Sequence, residues 1–553
     1  MRILFAGALL CSLSLAGCDA LDTKEDLNLT DEMMATRRYQ MFDWGYRVYE
    51  HIPYGFTAID GNLFAAVSDE AQYVTTFSST QRFNEGSWSA YYNPDDCYTS
   101  YYNGIYAAHD YLDKSVDYRY ILGMHRDTLT SNGLDSYRRD IVDVQRLRAE
   151  AHVLKAYYYF ELAKRYGGVP LIDRVYADQK EANLPRGTFD EVVGLILREI
   201  EGVRNELVVD WRAENLEEKS GRITRGAALA LKSRVLLYAA SPQFNPSGEK
   251  SKWAAAAAAA FEVINMGIYS LHPDYGGLFV AETSTTSPET IWAVRMGATN
   301  EFERKNYPIG TQGGGTGICP SQNLVEAYES TGEDTGDAYA GLDPRFYATI
   351  LYNGASWMGR TIESYVGGAD GFKEYENSKS ANTTVTGYYL RKYLKDGDKS
   401  WITAYSAQTC ILIRYAEVLL NKAEALAELS WDQNSVEALQ ALNDVRGRVG
   451  LPSRQTASKE EFMEFVRHER MVELAGEGFR YWDLRRWRLA EEVINGKNVH
   501  GVKITKTDSG FNYEHVDADN GNKRIFYDRY YHFAIPESER SKNPLCDNNQ
   551  GWV

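Results

Sequence analysis

Apolar residues recur at intervals of three and four over several long stretches of the chain. Ile141, Val144, Leu147, Ala151, Leu154, Tyr158 and Leu162 mark one face of a helix from Tyr137 to Tyr166, the spacing of an amphipathic helix. Gly167 and Gly168 followed by Pro170 stop it, because none of the three continues a helix well. The same period predicts helices over 190–207 (Val192, Val193, Leu195, Ile196, Ile200), 224–240 and 252–266. The last holds seven consecutive alanines, Ala254 to Ala260, which favour helix and let a neighbouring helix come close. A second block predicts helices from Ile411 to Leu429, Ser435 to Gly447 and Lys459 to Glu477, each separated by a few polar residues. Short connections make antiparallel neighbours. The expected fold is mostly α, a TPR-like scaffold of helix pairs, although no strict repeat length is visible.

Between 267 and 410 the texture changes. Gly313-Gly314-Gly315, Tyr352-Asn353-Gly354 and Gly367-Gly368 predict loops and short strands. Residues 52–100 are similar and rich in rings: Phe77, Phe83, Trp88, Tyr91, Tyr92 and Tyr98. Long loops on a helical scaffold are frequently functional, and these two are candidates for one shared surface. The scaffold is therefore assigned to 32–50, 97–266 and 411–490, and ligand loops to 52–96 and 267–410, within one unit spanning 32–553.

The first residues have a different character. Met1 and Arg2 precede an apolar run, Ile3 to Leu15, too short to span a bilayer and typical of a secretory signal. It ends in Leu15-Ala16-Gly17-Cys18, which resembles the bacterial lipobox. The expectation is a signal over 1–17, a lipidated Cys18 and an acidic tether over 18–31 carrying Asp19, Asp22, Glu25 and Asp26.

Composition narrows the classes. With 44% hydrophobic and 25% charged residues, the chain is neither disordered nor fibrous. A net charge of -17 provides no basic stripe for phosphates, so nucleic acid is not an expected partner. Aromatic residues reach 13%, with 40 Tyr against 20 Phe; a flat apolar ring with a polar handle suits ligand surfaces. Beyond Cys11 and Cys18, the remaining Cys97, Cys319, Cys410 and Cys546 have no close spacing. They read as free thiols or at most one long-range disulfide, with no zinc site. Asp517-Ala518-Asp519-Asn520-Gly521-Asn522 departs from a calcium loop because its glycine comes one position early. No metal and no other cofactor are expected.

Arg146-Leu147-Arg148-Ala149-Glu150-Ala151-His152, leading to Ala156-Tyr157-Tyr158-Tyr159-Phe160 and Arg165 to Leu171, resembles the signature helix of the SusD/RagB outer-membrane lipoproteins. Further blocks resemble the family in order: Arg225-Gly226-Ala227 to Pro242, Gln322 to Tyr328, Asp343-Pro344-Arg345-Phe346, Ile413 to Ala425, and Leu442 to Arg446. The most specific is Glu469-Arg470, Glu473-Leu474 and Glu477 to Trp487, and the tail from Ile535-Pro536 to Trp552 also fits. The resemblance implies a glycan-binding, non-enzymatic surface lipoprotein, held in the outer membrane by its lipid and serving a TonB-dependent, SusC-like transporter. A peptide-binding member of the same family and a glycoside hydrolase with carboxylates in the 60–70 region stay open as alternatives.

By the same resemblance, the ligand site falls in the loop after the first helix and in the loop before the Gln322 helix. The first offers Asp60, Asn62, Asp69, Tyr73 and Trp88; the second offers Asn306, Tyr307 and Cys319. Trp357 would add a stacking platform and Arg391 a fork of donors for sugar hydroxyls. The family's tryptophan before the Gln322 helix is missing, since Gly313 to Gly317 holds only glycines and Thr316, which points away from starch-type recognition. Glu477 and Asp483 could be taken for a hydrolytic pair, but Arg480, Arg485 and Arg486 beside them favour structural ion pairing.

Overall fold

The computed structural model describes residues 33, 37–75, 77–295, 297, 299–332, 337–372, 383–396, 409–519 and 521–552. The signal segment, Cys18 and the acidic tether lie outside the described residues.

Ten helices make the framework: α1 (Arg38–Arg47), α2 (Tyr98–Lys114), α3 (Ser131–Tyr166), α4 (Phe189–Val203), α5 (Arg225–Ala240), α6 (Lys250–Ile264), α7 (Tyr415–Leu429), α8 (Trp431–Arg448), α9 (Lys459–Glu473) and α10 (Arg480–Arg486). Local chemistry sets their ends. Thr188 and Glu191 form a reciprocal capping box on α4, and Thr224 and Ser458 cap α5 and α9 with their hydroxyls. These side chains satisfy N–H groups that the first turn leaves without partners. Gly167 ends α3 at φ +73°, a conformation glycine adopts without strain.

From α2 to α9 the helices pack largely on their sequence neighbours: α3 on α2 and α4, α5 on α4 and α6, α7 on α6, α8 and α9. The alanine run bears out its expected use. Ala256, Ala257, Ala259 and Ala260 are buried where α6 lies between α5 and α7.

Among the described residues the strands pair in twos, and the three longest ladders are β1 (Ala71–Tyr73) with β3 (Ile318–Pro320), β2 (Thr290–Arg295) with β4 (Thr409–Arg414), and β5 (His500–Thr507) with β6 (Gly510–Asp517). Two expectations change. Ile411 to Arg414 is strand β4 rather than the start of α7, because it completes a ladder with β2 that the helical period could not reveal. The hairpin β5–β6 was not expected; only Val502 and Ile504 of its alternating positions point into a core.

A third departure is in the core itself. Besides the large helical core, the loop regions build their own, from Phe56, Tyr275, Phe302, Tyr307, Trp357, Tyr389 and Tyr393 among others. Much of the aromatic surplus packs the loops together. Among the described residues no helix is long and apolar enough to cross a membrane.

Candidate functional site

The block from Arg414 to Trp487 is an ionic lattice. Glu473 of α9 accepts from Arg414 (2.6 Å), Arg345 (2.9 Å) and Arg448 (2.5 Å). Arg345 also meets Asp343 at 2.8 Å and Glu469 at 2.5 Å. Glu477 takes Arg414 at 2.7 Å and Lys392 at 2.8 Å. Asp483 of α10 pairs with Arg470 and Arg486, both at 2.8 Å, and Arg486 reaches Glu424 of α7 at 2.5 Å. These side chains are at most 2% exposed. Burial pushes the Glu477 and Asp483 carboxyls up, but the neighbouring cations overcome it and hold both below the usual range. Each carboxylate is saturated with donors, so neither can act as a general acid or base; the pair is structural, as its arginines suggested.

The two loop regions meet on another part of the molecule. β1 pairs antiparallel with β3, setting Tyr73 opposite Ile318 and Gln72 opposite Cys319. Asp60 and Gly61 turn the chain at φ +50° and +69°, between reciprocal hydrogen bonds of Ile59 and Asn62. Asp-Gly at such a tight reversal meets the need for two positive φ values. Lys305 Nζ donates to the Gly61 carbonyl and stands 5.1 Å from the Tyr73 ring centroid. Burial lowers the Lys305 pKa, opposed by the Asp60 charge.

This junction keeps Asp60 exposed and Tyr73 half-buried. Asp60 also accepts from the Thr80 backbone N–H at 3.1 Å. The glycine run opposite is set by packing: a Cβ on Gly314 would lie 2.3 Å from the Pro308 carbonyl oxygen. Nearby, Phe77 is 98% exposed and Tyr91 81%. The Tyr92 hydroxyl donates to Ser79 at 2.7 Å, bringing the 89–92 turn against the segment that carries Phe77.

Several expected ligand residues are corrected by burial. Trp88 lies between Phe83 (ring centroids 5.2 Å apart) and Tyr530 (4.4 Å), with Trp552 at 5.0 Å; its faces are covered by protein. Tyr307 and Trp357 pack on each other at 5.6 Å inside the loop core, and the Tyr307 hydroxyl donates to the Lys395 carbonyl. Asn306 donates to the Phe302 carbonyl and accepts from Ile318 N–H, fixing β3. Asn62 donates to Thr80 and to the Asp60 carbonyl, and Cys319 is fully buried beside Val74 and Val385. Asp69 is held by Arg480 through two hydrogen bonds of 2.8 Å. Trp88, Tyr307, Trp357, Asn306, Asn62 and Cys319 are thus buried within the loops, and the partly exposed Asp69 is tied to Arg480.

Arg391 is half-buried and does face open space. It lies 3.6 Å from Asp396 on the wall of a groove of about 580 Å³, together with Asp274, Tyr347 and Tyr393. The accessible groups are therefore Asp60, Tyr73 and Arg391 from the sequence reading, with Lys305, Phe77 and Tyr91 added by the structure. Phe77 had a legible signal. It stands alone among Thr75, Thr76, Ser78 and Ser79, with no periodic apolar partner to bury it.

Comparisons with known proteins agree with this architecture. Residues 288–552 match the model of the SusD family, and residues 20–237 match a second model described as starch-binding associating with outer membrane. SusD-like protein P38 of Formosa agariphila is 27% identical over 386 residues, covering 64% of this chain and 69% of that protein. A SusD-like protein from Bacteroides fragilis has a similar crystal structure, with TM-score 0.76, 24% identity, and 95% and 99% of the two chains covered. A SusD-like carbohydrate binding protein of the same species aligns with TM-score 0.73 at 22% identity, covering 93% and 99%. The ordered helix motifs, the ionic lattice they build and these matches lead to one conclusion: the chain belongs to the SusD/RagB family of SusD-like carbohydrate-binding proteins associated with the outer membrane.

Proposed function

We propose that this protein captures an oligosaccharide at the cell surface and delivers it, chemically unchanged, to a TonB-dependent, SusC-like transporter. The observation that carries the reading is the loop junction of a SusD-family chain, where Tyr73 is half-exposed between Lys305 and the Asp60 turn. Sugar capture needs an aromatic face for the apolar side of a ring and polar groups for its hydroxyls. Tyr73 and Phe77 supply faces, Asp60 an acceptor and Lys305 a donor. None of these requires a perturbed catalytic group. Of the carboxylates in the 60–70 region, Asp69 is held by two hydrogen bonds from Arg480 and Glu70 is buried, accepting from Ser68 and the Gly476 N–H, which supports binding without hydrolysis. The carbohydrate-binding relative from Bacteroides fragilis supports the ligand class.

Attachment would come from a lipidated Cys18, with the acidic tether as spacer. Cys18→Ala is expected to release the protein from the membrane fraction; unchanged fractionation sinks the anchor. For the ligand, a soluble chain starting at Asp19 is titrated by calorimetry against a panel of polysaccharides and oligosaccharides, then repeated with Tyr73→Ala and Phe77→Ala. Saturable binding that weakens tenfold or more in either variant supports glycan capture at this junction. Binding of peptides but no glycan, or release of shorter sugars from a bound glycan, overturns it.

A further inference from the structure

A second polar site lies between α3, α5 and the α9–α10 connection, lined also by Ala58, Leu63 and Phe64 of the loop that carries Asp60. α3 and α5 pack side by side, with the Phe160 and Tyr238 rings edge to face at 5.1 Å. On α3, Tyr157, Glu161 and Lys164 are spaced at i, i+4 and i+7; on α5, Arg234 and Tyr238 are at i and i+4. Such spacings put each set on one helix face. Both faces line a cavity of about 120 Å³, closed on another side by Glu477.

The acceptors in this wall are already in use. Glu161 receives Lys164 and Arg165, each at 2.7 Å, and Tyr101 at 3.3 Å. Glu477 receives Lys392 and both arms of Arg414. The donors are not. Lys164 Nζ makes one hydrogen bond, to Glu161, and lies 4.6 Å from the Trp482 ring centroid, so two of its N–H groups have no oxygen acceptor among the described residues. Arg234 uses Nε and Nη2 on Glu417 and the Leu412 carbonyl, and its Nη1 has no partner among the described residues. Tyr157 and Tyr238 are 3% and 6% exposed, yet their hydroxyls bond to nothing among the described residues.

The donors, rather than a surplus of charge, call for a ligand: Lys164, Arg165 and Arg234 line the cavity with Glu161 and Glu477, while Asp95 and Glu417 balance Arg165 and Arg234 from outside its lining. A few water molecules would bring as many donors as acceptors, whereas an oxyanion supplies lone pairs and negative charge together. We propose that this cavity binds a small oxyanion through Lys164, Arg234, Tyr157 and Tyr238. The ion is either a free inorganic one, such as phosphate or sulfate, or a carboxylate carried by an acidic sugar. The site does not depend on the glycan reading of the loop junction.

Burial moves the Lys164 ammonium most, Glu161 is the largest influence opposing it, and with Arg165 and Arg234 adding to the lowering its pKa falls to about 8. The ammonium is charged at neutral pH, so anion affinity should fall as pH rises past 8.

The test is calorimetry on the chain starting at Asp19 with sodium phosphate, sodium sulfate and sodium glucuronate, each at pH 7 and pH 9.5. Saturable binding of at least one probe is expected, at least tenfold weaker at pH 9.5, in Lys164→Met and in the Tyr157→Phe/Tyr238→Phe double variant. The double variant keeps the ring packing and every charge, so its loss reports the hydroxyls rather than misfolding. Binding of the inorganic ions alone assigns a free ion; binding of glucuronate alone assigns a sugar carboxylate. No heat from any probe at millimolar concentration, or unchanged affinity in the double variant, overturns the site.

Discussion

The α9–α10 block and the Asp60–Tyr73 loop are both rich in the residue types that make binding sites, but they use them in opposite ways. In the block, Glu473 alone holds Arg345, Arg414 and Arg448, all buried. In the loop, Asp60 is exposed and Tyr73 keeps part of its ring open. Desolvating charges is costly, so a buried lattice persists only where every carboxylate is met by donors. Those donors are then unavailable to a ligand. The motifs that identify the family therefore describe architecture, and the proposed glycan contacts lie on the loops instead, at Asp60 and Tyr73.

The largest effect should come from the lattice. Glu473→Ala leaves three buried guanidiniums short of a partner and should cost about 3–5 kcal/mol, read as a lower urea midpoint; a loss within experimental error would break the comparison. Trp88→Ala should cost about 3 kcal/mol because it opens a cavity in an aromatic stack. If Trp88→Ala instead leaves stability alone and abolishes sugar binding, the residue belongs with the loop surface after all.

Acid should act on the scaffold next. Burial raises the Glu161 and Glu329 carboxyls, but Lys164 and Arg165, and Arg446 and Arg454, outweigh it and bring both to about 2 from 4.5. With folded pKa values below the unfolded ones, their stabilisation is complete above about 4.5 and is lost as pH falls toward 2. Urea midpoints measured across pH 5 to 2 should fall steeply, and less so in Glu161→Gln. Glu70 shows the reverse sign. Burial and the Asp69 charge raise it to about 7, so its stabilising contribution is present below 4.5 and lost as pH rises through 7. Glu70→Gln should therefore raise the midpoint at pH 8 and match the parent only below about pH 4. The smallest change in stability belongs to Tyr73→Ala, about 1 kcal/mol or less for a partly exposed ring, against a tenfold or greater loss of glycan affinity in the same variant.

The helices were legible because their signals are local. The apolar period of α3, its glycine stop and the alanines of α6 can be read within one or two turns. β4 was misread because Ile411 to Arg414 suits a helix or a strand alike, and only its ladder with β2 decides. Trp88, Tyr307 and Trp357 were placed on the ligand surface because a ring in a polar loop carries no mark of burial. Their partners Tyr530, Trp552 and the loop core lie far away in the chain.

The family and the helical framework are written in the sequence, because periodicity, caps and ordered motifs act through near neighbours or survive as patterns. Only the tertiary structure decided which side chains are free. Whether Asp69 faces a sugar or Arg480, and whether Lys305 reaches Tyr73, depends on contacts between segments hundreds of residues apart. Burial and pairing of charge are properties of that three-dimensional neighbourhood, and no local pattern encodes them.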